Sequence, residues 1–473
     1  MNVAVLGATG FVGRALVLAL LRRGHAVSAL VRSPASAARV LPDGVAIAHF
    51  GDDEALARVI GRADGVINLA GEPIAGPRWT DRRKQVLVES RLASTARLAK
   101  AIAARAQRLA VFVSASASGY YGDRGDEILV ESSPPGEGFA PNLCERWEQA
   151  TAPAAARAAR IVHPRIGIVL GLEGGMLGAL RPLYGLGLGG PIAGGDAWLP
   201  WIHLEDLVRA LVHLLESDRL DGPVNLVAPA PVRQHDFAHA YGHILHRPAI
   251  VPAPAFALRA MLGEQVSILT ASQRLDCEAL RRSGFTFRFP TLDAALADLV
   301  DDNRQGITIE PIDPADTPWT DYLRTRPARF VLTATTRLAA PLDEVFAFFS
   351  APKNLAAITP PNLAFEMTTE PEPTFGGQLI DYRIRVLGAP LRWRTKIDAW
   401  EPMHRFVDSQ LRGPYRSWWH EHTFAADGAA TTMRDRVYFT PPLAFASEPL
   451  VVAPMLRRIF TYRRHAIRFR FGD

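Results

Sequence analysis

The sequence is poor in lysine and cysteine and has no long apolar run. Its lysines are Lys84, Lys100, Lys353 and Lys396, so arginine supplies almost all of the 53 basic side chains. The two cysteines, Cys144 and Cys277, are too few and too far apart for a disulfide framework or a zinc cluster, which indicates a reducing compartment. Because no stretch of about 18 apolar residues occurs, no membrane span is predicted. The first apolar strand starts at residue 2, so no secretory signal is expected and a soluble, cytoplasmic protein is predicted.

Length and charge restrict the class of protein further. A chain of 473 residues exceeds the usual size of one core and predicts two or three domains. The net charge of +5 is modest, but basic residues cluster at Arg457, Arg458, Arg463, Arg464, Arg468 and Arg470. Nucleic acid or an anionic membrane is one interpretation of this cluster. Apolar residues at helical spacing in the same segment favour the other, an amphipathic terminal helix with a solvated far side, so no nucleic-acid partner is predicted.

Apolar segments and helical patterns alternate from residue 1 to about 170. Strands are predicted near 3–6, 26–31, 45–49, 65–69, 109–114 and 161–169. This alternation predicts an α/β fold with a doubly wound parallel sheet, a Rossmann domain that extends over residues 1–303. Its last part, about 230–303, is predicted to form a small subdomain.

The pattern changes after a segment rich in proline and acid, residues 310–318, which interrupts the periodicity. The linker is therefore placed at 304–328. A helix at 341–349, several alternating strands and the arginine-rich helix follow. They predict a second domain of the α+β class over residues 329–473.

The opening segment carries the pattern of a dinucleotide site. An apolar strand at residues 3–6 runs into the turn Gly7-Ala8-Thr9-Gly10-Phe11-Val12-Gly13 and then into a helix-forming segment. Such a turn brings backbone N–H groups and the positive end of a helix against a pyrophosphate, where a Cβ atom would collide. The next strand, Ala26–Val31, is followed by Arg32. Arginine at this place favours the 2′-phosphate of NADP over the 2′-hydroxyl of NAD; an unrelated surface arginine is the alternative.

A series of motifs resembles the epimerase-type branch of the extended short-chain dehydrogenases and reductases. The motifs are Gly7-x-x-Gly10-x-x-Gly13, Asn68-Leu69-Ala70-Gly71-Glu72, Trp79 with Lys84, Ser90-Arg91, Gly119-Tyr120-Tyr121-Gly122, Trp147-Glu148, the glycine-rich stretch 185–190 and Trp201-Ile202-His203. Members of that branch end in a small domain of unknown function, which Pro252-Ala253-Pro254, Ala271-Ser272-Gln273 and Gly284-Phe285 resemble. The resemblance covers residues 1 to about 303.

This resemblance implies bound NADP and a set of cofactor contacts. Arg32 is expected at the 2′-phosphate, Leu69 and Ala70 on the adenine side, and Arg91 reaching back to the cofactor. The full expected set is Gly7, Thr9, Gly10, Phe11, Val12, Gly13, Arg32, Leu69, Ala70, Gly71 and Arg91.

The C-terminal part resembles the START-like (SRPBCC) ligand-binding and polyketide-cyclase proteins. The resemblance rests on residues 339–346, with Pro341-Leu342-Asp343-Glu344, and on a late strand followed by a long terminal helix. It implies a helix-grip fold whose cavity holds an apolar or aromatic ligand. Many aromatic side chains are available to line such a cavity, or simply to fill the core: Trp393, Trp400, Phe406, Tyr415, Trp418 and Trp419.

The catalytic residues are harder to predict, because no lysine lies four residues after a tyrosine. Reductases and epimerases of this class use that pair to transfer a proton and to hold the ribose. The branch that the chain resembles lacks it too. Ser116 is the best candidate for a hydroxyl that polarises a carbonyl, and Tyr121 for a substitute acid. The alternative is a serine that caps a loop and a tyrosine packed in a turn.

Three further candidates each have a plainer interpretation. His203, with Trp201, is predicted to face the substrate, although a histidine there also fits the cap of the helix that follows. His420 and His422 share one face of a predicted strand, but no third ligand stands at a recognisable spacing, so no metal is predicted. Cys144 has no histidine partner visible in the sequence and is not expected to be a nucleophile.

Two functions remain open. The first is an NADP-dependent oxidoreductase or epimerase-like enzyme that acts on a small-molecule substrate and carries a domain for an apolar ligand. The second is a binding module without turnover, which reports NADP(H) while the C-terminal domain binds a lipid-like or aromatic molecule. The missing tyrosine and lysine pair favours the second function, and the first is the preferred interpretation.

Overall fold

The computed structural model describes residues 1–172, 174–300, 306–369, 373–386, 388–442 and 452–472. The chain divides into two compact units, Met1–Leu299 and Val300–Asp473. The domain boundary predicted at 303–304 lies outside the described residues. Among the helices of the described ranges, none is long and apolar enough to cross a membrane.

The first unit contains the predicted parallel sheet. Its strands lie in the order Gly222–Leu226, Ile161–Ile166, Val111–Ser114, Gly65–Asn68, Asn2–Leu6, Ala26–Val31 and Ala46–His49, with Ser116–Ala117 paired beside Ile161–Ile166. Neighbouring strands run parallel. Residues 3–6 of the central strand are all buried, because helices cover both faces of such a sheet. This burial explains the continuous apolar runs in the sequence and confirms the doubly wound fold.

Helices connect these strands and extend past them. They span Phe11–Arg22, Pro34–Ala37, Asp53–Arg62, Asp81–Ala103, Phe139–Gln149, Gly175–Gly185, Leu204–Glu216, Gln234–Ile244, Ala255–Leu262, Ser267–Thr270, Glu278–Arg282 and Leu292–Val300. Short 3-10 turns occur at Ser118–Tyr121, Ala152–Ala156 and Gly263–Val266. Two-stranded pairs form between Trp198–Leu199 and Val232–Arg233, between Ile168–Leu170 and Trp201–His203, and between Ile128–Leu129 and Arg274–Leu275.

The second unit is an antiparallel sheet with a long terminal helix. The strands lie in the order Ile307–Pro311, Phe330–Leu338, Ala430–Thr440, Ser417–Asp427, Arg405–Arg412, Ala389–Glu401, Leu379–Val386 and Glu366–Met367. Helices span Asp321–Thr325, Leu342–Phe349 and Ala453–Phe471, and 3-10 turns span Pro314–Asp316, Pro352–Ala356 and Pro361–Leu363. Leu456 and Phe460 of the terminal helix pack with Val437 and Phe439 of the sheet, so the helix-grip fold is confirmed.

Two features of this unit differ from the sequence-based expectation. Ile307–Pro311, inside the segment predicted as a linker, pairs with the strand Phe330–Leu338; a proline is tolerated there because the strand lies at the edge of the sheet. The arginine-rich side of the terminal helix is not exposed to solvent, since Arg463 and Arg468 are buried. Arg463 lies 3.7 Å from a carboxylate oxygen of Asp435, and this charge partner explains its burial.

Candidate functional site

The predicted dinucleotide turn is closely packed around two glycines. Gly7 has a φ of +89°, and a Cβ atom on it would lie 2.8 Å from the carbonyl carbon of Leu69. A Cβ atom on Gly13 would lie 2.0 Å from the carbonyl oxygen of Gly7. Both distances are far below van der Waals contact. Glycine is therefore required at both positions for the helix Phe11–Arg22 to start directly above the strand.

The N-terminus of this helix is open to a ligand. Gly10 is the N-cap residue and no side chain caps the helix, so its first N–H groups can meet an anion. Thr9 and Gly10 are exposed, whereas Phe11 and Val12 are half-buried. The structure thus brings the glycine turn and Leu69 together at the carboxyl end of the sheet, and their contact with a cofactor stays a prediction.

Arg32 follows the strand Ala26–Val31 and stays in solvent. Its side chain is 89% exposed, and one guanidinium nitrogen lies 3.5 Å from a carboxylate oxygen of Glu72. Arg83 approaches the other oxygen of Glu72 at 3.6 Å. A guanidinium that is held by one weak ion pair remains free to bind a phosphate.

Arg91 packs against the loop that follows the strand Gly65–Asn68 and does not line an open surface. Its guanidinium donates to the carbonyl oxygens of Glu72, at 2.9 Å, and Leu87, at 3.2 Å. It also stacks on Trp147, 5.0 Å from the ring centroid. Burial lowers the pKa of Arg91. The residue therefore fixes the segment Leu69–Ala70–Gly71 from behind, and its contact with a cofactor stays a prediction.

Ser116 belongs to a buried polar network. Its hydroxyl donates to Glu148 at 2.6 Å. Arg165 donates to both oxygens of the same carboxylate, at 2.9 and 3.0 Å. A further nitrogen of Arg165 donates to the Tyr121 hydroxyl at 2.9 Å, and this hydroxyl donates to Asn225 at 2.7 Å. The two predicted catalytic residues are thus linked through Arg165 and Glu148, which the sequence analysis did not select as catalytic.

Within this network, Tyr121 has the geometry of a structural residue. Its ring is fully buried, and burial raises the pKa of its hydroxyl to about 12 although Arg165 opposes the shift. Its proton is committed to Asn225. Ser116 is also buried, but its hydroxyl can rotate away from Glu148 toward a neighbouring oxygen. Tyr121 is therefore held in place by its partners, and the contact of Ser116 with a substrate stays a prediction.

His203 and Trp201 lie inside the unit. His203 is the N-cap of the helix Leu204–Glu216, and its Nδ1 accepts from the backbone N–H of Glu205 at 3.1 Å. The Trp201 indole donates to the carbonyl oxygen of Ala230 at 3.1 Å. Both side chains are almost completely buried, so the helix-cap interpretation fits the geometry better than substrate contact.

Cys144 is also a buried residue. Burial, assisted by the nearby Glu148, raises the pKa of its thiol to about 12. Since the thiolate is the nucleophilic form, this environment favours an inert side chain, as the sequence analysis expected.

The second unit encloses an apolar cavity of about 390 Å³. Of the aromatic residues proposed to line one, Trp393, Phe406, Tyr415 and Trp418 do so. Trp400 and Trp419 do not line it: Trp400 packs against another part of the core, and Trp419 points to the other side of its strand, where it packs with Leu323 and Tyr438. Strand alternation explains the difference between Trp418 and its neighbour. Ligand-sized space with mostly apolar walls is typical of a small-molecule site.

One part of the cavity wall is strongly polar. It is formed by Asp408, His420, His422 and Arg463, with Asp435 behind them. Asp435 accepts from His420 at 3.0 Å and approaches His422 at 2.7 Å. Arg463, His420 and His422 hold the pKa of the Asp435 carboxyl well below its usual range despite its burial. The sequence analysis found the two histidines but missed both aspartates. Both aspartates stand at inward-facing positions of their strands, and this alternation could have identified them from the sequence.

The comparisons with known proteins agree with the geometry of the first unit. Residues 3–227 match the family model "NAD dependent epimerase/dehydratase family", and residues 253–299 match a domain of unknown function, DUF1731. An epimerase family protein of Mycobacterium bovis is 40% identical over 295 residues, which are 62% of this chain and 96% of that protein. The chain belongs to the epimerase family.

Solved structures of epimerase-family relatives show the same fold. The human epimerase family protein SDR39U1, crystallised with NADPH, is 34% identical with a TM-score of 0.56, and the match covers 63% of this chain and 99% of that one. A nucleoside-diphosphate sugar epimerase from Corynebacterium glutamicum is also 34% identical, with a TM-score of 0.51 and coverage of 64% and 58%.

This epimerase-family chain carries a further domain beyond the match to these relatives. Residues 329–468 match the family model "Polyketide cyclase / dehydrase and lipid transport". The match coincides with the antiparallel unit and its cavity. Both resemblances expected from the sequence are therefore confirmed.

Proposed function

We propose that the first unit binds NADPH and acts as an oxidoreductase or epimerase-like enzyme on a small oxygenated or cyclic substrate. In the same chain, the second unit binds an apolar or aromatic ligand in its cavity, which it delivers or sequesters. The proposal for the coenzyme rests chiefly on Arg32, an exposed guanidinium at the end of the second strand, where the adenosine ribose of a dinucleotide lies in this fold.

NADP fits the residues that surround this place. The uncapped helix start at Gly10 suits the pyrophosphate, and the guanidinium of Arg32 suits a 2′-phosphate. The human relative that was crystallised with NADPH supports the same coenzyme. When bound, NADPH supplies a hydride, and the residues of this chain orient the substrate and handle the proton.

Ser116 is the proposed carbonyl-polarising group. Its hydroxyl follows the fifth strand and donates to Glu148, which Arg165 fixes from the other side. Rotation of the hydroxyl toward a substrate carbonyl would place a donor on the oxygen where negative charge develops during hydride transfer. Tyr121 remains the proposed acid only if its hydroxyl leaves Asn225. His203 caps the helix Leu204–Glu216 and Trp201 donates to the carbonyl oxygen of Ala230, so both are proposed to support the unit's structure rather than to touch the substrate.

The coenzyme assignment is tested by calorimetric titration of NADPH and NADH into the full chain. The change is Arg32→Ala, with Arg39→Ala as the matched control, because Arg39 is an exposed arginine seven positions further along the chain. NADPH binding should weaken by about 1.5 to 3 kcal/mol in Arg32→Ala, the range of a charge-assisted hydrogen bond. NADH binding and the control should not change. Equal affinities of the wild type for the two coenzymes would refute the role of Arg32.

Turnover is tested by NADPH oxidation with a panel of carbonyl substrates. The wild type should oxidise NADPH with at least one carbonyl, and Ser116→Ala should lower kcat/KM by about 10² or more, the scale of one oxyanion donor. Ser118→Ala is the matched control, since Ser118 is a buried serine two residues further along the chain. An unchanged rate in Ser116→Ala would remove that residue from the mechanism.

A binding module without turnover is the second candidate. It is favoured by the absence of a lysine four residues after any tyrosine and by the burial of Tyr121. Saturable NADPH binding without oxidation on any carbonyl would select it over the enzyme.

We place either function in the cytoplasm. The two cysteines are free and buried, which suits a reducing compartment. A relative from Arabidopsis thaliana, 35% identical, is named as chloroplastic, so fractionation of cells that express the tagged chain is the direct test of this location.

A further inference from the structure

A cluster of four ionisable side chains interrupts the apolar inner face of the second sheet. Asp408 lies on the strand Arg405–Arg412, opposite His420. His422 lies two positions after His420 on the strand Ser417–Asp427, opposite Asp435 of the strand Ala430–Thr440. The two histidines and Asp435 are buried. Such groups are costly in an apolar core unless they are paired or bind an ion.

Two distances within the cluster match the spacing of metal ligands. Asp408 Oδ2 lies 3.3 Å from His422 Nε2 and 3.6 Å from His420 Nδ1. One ligand atom from each of the three residues lies within 4.8 Å of the others. Ligands bound at about 2.0 to 2.1 Å around a tetrahedral zinc ion lie roughly 3.3 to 3.4 Å apart. The two distances to Asp408 are close to that separation.

The other nitrogen of each imidazole meets a second carboxylate. Asp435 Oδ1 lies 3.0 Å from His420 Nε2 and 2.7 Å from His422 Nδ1. A carboxylate that accepts the remaining N–H of a histidine fixes its tautomer and ring orientation, as outer partners of metal ligands do. Arg463, 3.7 Å from the same oxygen, compensates the charge of Asp435.

One pair of histidine tautomers directs both lone pairs at Asp408. When both imidazoles donate to Asp435, their ring nitrogens on the other side, His420 Nδ1 and His422 Nε2, carry lone pairs that face the Asp408 oxygen. Three acceptors would then converge without a proton between them. A cation at their centre satisfies all three.

We propose that Asp408, His420 and His422 bind a divalent transition-metal ion such as Zn²⁺, with Asp435 as their outer hydrogen-bond partner. Two imidazoles and one carboxylate are a ligand set that such ions favour. The three ligands line the 390 Å³ cavity, so the open coordination position faces the space of the apolar ligand. An apolar molecule with an oxygen donor is the chemical class that fits both features. The metal site itself does not depend on the function proposed for the first unit.

The test uses the full chain without an affinity tag, stripped of metal with a chelator and then titrated with Co²⁺. The wild type should bind one equivalent with the intense visible absorption of four- or five-coordinate cobalt, which Zn²⁺ should abolish by competition. Proton NMR of the Co²⁺ form should show two strongly shifted, exchangeable imidazole N–H signals, one from each histidine bonded to Asp435.

Variants assign the site within the chain. Asp408→Asn and His422→Gln should lose the stoichiometric binding, and Asp435→Asn should weaken it by about 10- to 100-fold. His404→Ala, an exposed histidine of the same unit, should bind like the wild type. Circular dichroism identifies any variant that fails to fold, in which case the NMR signals of the wild type decide. Wild-type protein that binds no equivalent of Co²⁺, or binding unchanged in His422→Gln, would overturn the proposal in favour of an ion-pair network.

Discussion

Gly13→Ala is the sharpest perturbation of the proposed dinucleotide turn. The new Cβ atom would lie 2.0 Å from the carbonyl oxygen of Gly7, about 1.5 Å inside the contact distance of 3.5 Å. The obstacle is backbone, so a change of rotamer cannot relieve it, and the start of the helix Phe11–Arg22 must move. Overpacking in a dense region costs about 1 to 3 kcal/mol and more where the backbone shifts. We therefore expect a loss of stability of about 3 kcal/mol.

The matched control is Gly61→Ala. Gly61 lies in the helix Asp53–Arg62 of the same unit, and a Cβ atom on it would have no neighbour within 4 Å. Alanine should stabilise that helix by about 0.5 to 1 kcal/mol, because glycine loses more backbone entropy on folding. The two variants thus add the same methyl group but should change the free energy of unfolding in opposite directions.

Urea unfolding and NADPH titration measure both effects. In Gly13→Ala the unfolding midpoint should fall and the Kd for NADPH should rise at least about tenfold, or 1.4 kcal/mol, because the helix N–H groups move. In Gly61→Ala the midpoint should rise with an unchanged Kd. A Gly13→Ala protein that is as stable as the wild type and binds NADPH equally well would refute the steric account of the turn.

Three further predictions concern two groups of ion pairs and the cavity. Glu148→Ala should destabilise the first unit by about 3 to 5 kcal/mol in urea, because Arg165, which is 3% exposed, then keeps a buried charge without its carboxylate; a loss below about 1 kcal/mol would contradict this. Hydrogen bonds from Arg23 and His25 lower the pKa of Glu216 although burial opposes them, so its contribution to stability is present above about pH 4.3 and is lost as the pH falls through the lowered pKa. Glu216→Gln should flatten the acid side of the stability profile, and an unchanged slope would argue against the pairing. Ile384→Trp should fill part of the cavity and weaken binding of a fluorescent apolar dye about tenfold, whereas unchanged binding would place the dye elsewhere.

The fold was predictable where local chemistry determines it. Residues 3–6 form an apolar run and residues 65–68 are all buried because both faces of their sheet are covered, and the glycine turn is dictated by close backbone approach at Gly7 and Gly13. Composition gave a wrong prediction where pairing with a distant strand determines the structure. Ile307–Pro311 looks like a linker because of its prolines and acids, yet pairing with Phe330–Leu338 makes it an edge strand.

The polar clusters were predictable only in part, because their members are distant in sequence. Tyr121 and Asn225 are 104 residues apart, and no periodicity relates them. His420 and His422 are visible as a pair, but their partners stand 14 and 15 residues away on two neighbouring strands. The register of those strands decides which aspartates meet the histidines, and the sequence alone does not specify it.

The central claim is that the first unit holds NADP through the glycine turn and Arg32. A crystal structure of the full chain grown with NADPH tests it most directly. We predict electron density for the coenzyme along the turn at Gly7 and Gly10, with the 2′-phosphate in hydrogen-bond distance of the Arg32 guanidinium. A turn without coenzyme, or a 2′-phosphate that points away from Arg32 into solvent, would contradict the account.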